Sequence, residues 1–100
     1  MTYEVRLTQD ALEDLNRLYG FLVERDLDAA DRALEVIERA LDLLAYSPFS
    51  CGKALHQKNP RWRELLISFG NAGYVALFEI DDSHTVTVTA VRHQREEDYH

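Results

Sequence analysis

The sequence predicts an α+β fold: one N-terminal strand, an antiparallel helical hairpin, then a three-stranded antiparallel meander, in the order β-α-α-β-β-β. Three observations carry that order. "TYEVRLT" alternates apolar and polar residues at strand period. Two stripes of leucine, alanine and isoleucine then recur at helical spacing as far as Pro48. Finally "RWRELLISFG", "AGYVALFEID" and "HTVTVTAVRHQ" return to alternation, with "NAG" and "DDS" as turns between them.

Each element has its own local reason. In the first strand Tyr3, Val5 and Leu7 point one way, and Thr2, Glu4 and Arg6 the other. Thr8 can cap the first helix, with Asp10, Glu13 and Asp14 near its positive end. Leu12, Leu15, Leu18, Tyr19, Leu22 and Val23 form its stripe, over residues 9–25. Asp28 is the expected cap of the second helix, whose stripe is Ala30, Ala33, Leu34, Ile37, Leu41 and Leu44. It must end near Pro48, which lacks the amide that a helix interior needs. A short link between two such helices makes a hairpin. "SPFSCGKALHQKNP" holds two prolines, a glycine and no sustained period, so it reads as a long loop.

One hundred residues with 46% hydrophobic and 29% charged content describe a single globular domain, residues 1–100. No run is long and apolar enough for a membrane span, and no signal peptide is readable. The lone Cys51 permits no internal disulfide, which fits a reducing cytoplasm. The net charge of −7 argues against broad nucleic-acid binding, because that affinity comes from many cations neutralising phosphates. The charge is uneven. Residues 47–63 hold Lys53, Lys58, Arg61 and Arg63 with no acid, between strongly acidic flanks. His56, His84, His93 and His100 lack metal-ligand spacing, so no metal or other cofactor is expected. Cys51 has no placed base and reads as a small residue rather than a nucleophile.

The sheet poses a question of coverage. In the third strand Tyr74, Ala76, Phe78 and Ile80 share one face, and Val75 and Leu77 the other. In the second, Trp62 and Leu66 oppose Leu65, Ile67 and Phe69. Both faces are apolar, yet a helical hairpin covers one. Either the loop or the C-terminal tail covers the second face, or that face receives a partner.

The helical hairpin after one strand, followed by "WRELLISFGNAGYVALFEI" and "VTVTAVRHQREEDY", resembles the RelE/ParE superfamily of toxins from bacterial type II toxin–antitoxin modules. The resemblance spans nearly the whole chain and implies the fold read above. It also implies a cognate antitoxin, of ribbon-helix-helix type, as partner. RelE-like members cut messenger RNA on the ribosome; ParE-like members poison DNA gyrase and carry no recognised catalytic residues. RelE-type chains commonly place an arginine after the G-Y of the third strand, and this chain has Val75 there. The resemblance is therefore closer to ParE, with gyrase as target, no catalytic residue and no direct nucleic-acid contact. If the chain were RelE-like, His93, Arg95 and Tyr99 would match the catalytic positions. A non-toxic protein-binding adaptor is the remaining alternative. Trp62, Arg63, Tyr74 and Phe78 are the expected antitoxin-binding residues, with Trp62 and Tyr74 assigned to one face by parity. Arg92, His93 and Arg95 are the expected target-binding residues. Strand alternation sends Arg92 and His93 to opposite sides unless the strand bulges.

Overall fold

A computed structural model describes residues 2–54 and 60–94. The elements are β1 (Glu4–Leu7), α1 (Gln9–Val23), α2 (Leu27–Leu43), a 3₁₀ turn (Pro48–Ser50), β2 (Arg63–Phe69), β3 (Ala72–Ile80) and β4 (Thr85–His93). The sheet order is β1-β4-β3-β2. β2, β3 and β4 form the antiparallel meander, and β1 joins it by pairing parallel to β4, Val5 opposite Val86. The α+β architecture is the one the sequence predicts.

Local chemistry sets the element ends. Thr8 caps α1 by accepting from the Ala11 amide, and its hydroxyl also donates to the Thr89 carbonyl. The first helix is therefore anchored to β4 at its first residue. α2 is capped by Asp26, which accepts from the Ala29 amide at 3.1 Å; Asp28 sits in the first turn instead. α1 is two residues shorter than expected because the chain must leave the helix before that cap. The β2–β3 turn is Gly70-Asn71, between the paired Phe69 and Ala72. Gly70 has φ +62°, which fits the first central residue of a type II′ turn. Gly73 is required for another reason: a Cβ there would lie 2.0 Å from the Ile67 carbonyl oxygen.

The main core lies between the helices and the sheet. Phe78, Val86, Val88 and Val91 are fully enclosed, with Tyr74, Ala76, Ile67, Leu18, Ile37, Leu41 and Leu44 around them. A smaller cluster on the opposite face joins Ala54, Val75, Leu77 and Ala90, with Trp62 packed beside them. The chain's own return after the 3₁₀ turn helps to close this face. Lys53 bridges to Arg63, the Ala54 amide donates to the Trp62 carbonyl, and the Glu64 amide donates to the Gly52 carbonyl. Val75 and Leu77 are thereby almost wholly buried. Leu66, paired with Val75 on this face, nevertheless stays 67% exposed.

One irregularity decides where the end of β4 points. Leu77 pairs with Ala90 but Phe78 pairs with Val88, so Thr89 is an extra residue in β4. Before it, Val86 and Val88 face the helices; after it, Val91 does, and Ala90 turns to the other side.

Candidate partner-binding site

The bulge at Thr89 sends His93 to the helix side, where its ring meets Tyr74 edge-on at 5.6 Å. Tyr74 is tilted against Phe69 at 6.1 Å. These three rings form one wall of a groove whose other wall is α1, through Arg17, Leu18, Phe21 and Leu22, with Gly70, Asn71 and Ala72 closing the hairpin end. The groove encloses about 710 Å³. Its outstanding feature is Phe21, which is 56% exposed for so large an apolar ring. The Arg25 guanidinium lies 3.7 Å over that ring, and Arg25 also donates to the Phe21 carbonyl at 2.8 Å. The ring is thus held by the guanidinium while more than half of the residue stays exposed. Burial pushes the Tyr74 hydroxyl above its ordinary range, so that ring carries no charge at neutral pH.

Arg92, expected at the target surface, is also engaged within the chain. Its guanidinium forms an ion pair with Asp14 of α1 and donates to the Val91 carbonyl. Asp14 also accepts the Val91 amide at 3.0 Å and lies 3.7 Å from Arg17. β1 ends at Leu7, so beyond Val88 the outer edge of β4 has no strand neighbour among the described residues. A buried amide there needs an acceptor, and a carboxylate from α1 supplies it. Arg92 and Asp14 therefore latch helix to sheet with little surface exposed.

The expected antitoxin residues divide. Phe78 is fully enclosed and Tyr74 is 3% exposed, both in the helix-covered core; only Tyr74 reaches a groove. Trp62 is on the opposite face beside Val75 and Leu77, its indole N–H donating to Glu79 at 2.8 Å. Trp62 and Tyr74 do not share a face. The register places Ile67 opposite Tyr74, so odd positions of β2 align with even positions of β3. Arg63 lies at the other end of the hairpin. It donates to the Cys51 carbonyl at 2.6 Å, 5.3 Å from the centre of the Phe49 ring. Burial pushes the Cys51 thiol up, against any nucleophilic use, although Arg63 pulls the other way. Arg95 and Tyr99 lie outside the described residues. Among the described residues no cluster of histidine, cysteine, aspartate and glutamate could hold a metal ion, and no helix is long and apolar enough to cross a membrane.

A four-stranded sheet under one helical hairpin, with an aromatic groove at their junction, defines a small partner-binding α+β module. Residues 5–98 match the family described as ParE toxin of type II toxin–antitoxin system, parDE, and the chain belongs to that family. Two curated relatives are from Caulobacter vibrioides. Toxin RelE1 is 39% identical over 97% of this chain and 99% of its own length; Toxin RelE3 is 34% identical over 92% and 95%. Among solved structures, a chain from the chromosomal ParDE system of P. aeruginosa shares the fold with a TM-score of 0.76 at 17% identity, covering 92% of this chain and 96% of its own. A chain of the RelBE2 toxin–antitoxin complex of Mycobacterium tuberculosis gives 0.63 at 28% identity, covering 94% of this chain and all of its own. The chain is a type II toxin of the RelE/ParE superfamily.

Proposed function

We propose that this toxin acts by inhibiting DNA gyrase in the cytoplasm and is neutralised by an antitoxin segment seated in the groove between α1 and the β2–β3 hairpin. One observation carries the choice of target. The position after Gly73-Tyr74 is Val75, 5% exposed, inside a cluster made with Leu77, Ala90, Ala54 and Trp62. Cleaving RNA requires stabilising a developing phosphorane charge, and removing a single preorganised donor costs about 3–4 kcal/mol. A buried valine among apolar neighbours offers no such donor at the place where RelE-type chains commonly carry an arginine. The acidic balance points the same way, since a protein target does not demand a basic surface.

The groove supports the antitoxin part. An exposed phenylalanine held under a guanidinium, beside the contacting rings of Phe69, Tyr74 and His93, is the kind of surface in which a few aromatic anchors supply most of the binding energy.

A messenger-RNA endonuclease is the second reading, favoured by the RelE names of both curated relatives. In it His93, Arg95 and Tyr99 are the catalytic residues. Induction of the chain in a bacterium tests the primary reading. We expect growth arrest with relaxed or broken plasmid DNA and intact transcripts, relieved by co-expressing the product of the neighbouring reading frame. Normal growth at verified soluble expression contradicts toxicity; arrest with cleaved transcripts transfers the chain to the second reading.

A further inference from the structure

We infer that the opposite end of the β2–β3 hairpin carries a second contact for the antitoxin, a basic recess that takes an acidic stretch bearing an aliphatic or aromatic side chain. The inference rests on the toxin–antitoxin reading and adds a separate site with its own chemistry. Lys53, Arg61 and Arg63 come from an acid-free run in a chain of net charge −7, and all three line one recess of about 290 Å³. Phe49, Pro60 and Ile80 complete its walls. The recess is therefore cationic at its rim and apolar within.

Two of its groups are already oriented. Arg63 is fixed by its bond to the Cys51 carbonyl, and its guanidinium faces the Phe49 ring. That bond leaves further guanidinium N–H directions for a carboxylate. Phe49 is 63% exposed, yet Tyr3 meets its edge at 6.5 Å. A peptide carboxylate suits this arrangement better than RNA does. With Arg63 toward one face and Tyr3 in edge-to-face contact, the Phe49 ring can receive one side chain but is not a platform for successive bases. A continuous phosphate backbone would also bring negative charge along an acidic protein. A short acidic segment brings charge only where the cations are. From Arg63 to Phe69, β2 spans about 20 Å, so one extended partner segment can reach both the aromatic groove and this recess.

Calorimetry of the purified full chain with the neighbouring frame's product tests the inference at low and high salt. Lys53→Glu with Arg61→Glu is expected to weaken binding roughly 10- to 50-fold at low salt and to flatten the salt dependence. Lys53→Gln with Arg61→Gln should move both in the same direction by less, and keeps the test valid should the reversed pair fold poorly by circular dichroism. Arg39→Glu, on the exposed face of α2, should change neither. Unchanged affinity and salt slope in folded variants overturn the inference while leaving the toxin–antitoxin reading intact. So does binding of a short labelled oligouridylate that the double variants lose while antitoxin affinity stays. A wild-type chain that does not bind the neighbour's product at all overturns that reading and this inference together.

Discussion

On the helix side of the sheet, β3 contributes Tyr74, Ala76 and Phe78 to a core shared with both helices and all three other strands. On the other side the same strand contributes Val75 and Leu77, which among the described residues cluster with Ala90, Ala54 and Trp62. The residues are equally buried on both sides. The difference, among the described residues, is what covers them: two full helices in one case, and in the other a three-residue return and a single indole. The first face holds the fold together. The second buries Val75, the residue on which the proposed choice of target rests.

Four experiments probe that contrast, in order of expected effect. Phe78→Ala empties the centre of the first face and should cost about 3–5 kcal/mol in urea unfolding. A loss under 1 kcal/mol would mean that the helices cover a second-rate core. Asp14→Ala leaves the Arg92 charge and the Val91 amide without their acceptor, and should cost about 3 kcal/mol. A neutral result would show that the latch contributes little to the fold. Phe21→Ala removes the exposed anchor of the groove and should cost about 2 kcal/mol in antitoxin affinity with stability nearly unchanged. Trp62→Phe, on the opposite face, should cost about 1 kcal/mol of stability through the lost bond to Glu79 and little affinity. If the two substitutions exchange effects, the antitoxin uses the other face.

The smallest effect is in the β3–β4 turn, where the His84 amide donates to Asp82 at 2.7 Å and holds its carboxyl below the ordinary range. A depressed folded-state pKa adds stability above the unfolded value, and that stability is lost as pH falls through the folded one. The melting-temperature difference between wild type and Asp82→Asn should therefore shrink in acid. A difference independent of pH would mean the ionised carboxylate is not what the turn favours.

Much of this architecture was legible from local chemistry. Period and turn residues give the helices, the meander and the Thr8 cap directly. Asp28 was an easy misreading of Asp26, since both precede the same apolar stripe two residues apart. The larger miss was the face shared by Trp62 and Tyr74. Placing the turn on "NAG" aligns even positions with even ones across β2 and β3; the two-residue turn at Gly70-Asn71 aligns odd with even. A one-residue slip moves every side chain to the other face. The positive φ demanded of the first turn residue was the available signal, and Gly70 was the residue that could supply it. The Thr89 bulge had no such signal, because an alternating run does not show which residue lacks a partner. Nor does sequence reveal that Asp14, on a helix surface by composition, is needed by an amide seventy-seven residues away.

The target is the central claim, and one paired assay addresses it. Purified chain is added to gyrase with relaxed plasmid, and in parallel to a translating extract whose transcript ends are mapped. The account predicts that supercoiling is inhibited or cleaved DNA accumulates, that transcripts stay intact, and that His93→Ala leaves the gyrase effect in place. Ribosome-dependent cleavage at defined sites, abolished by His93→Ala or Tyr99→Phe while gyrase runs unimpeded, would contradict it.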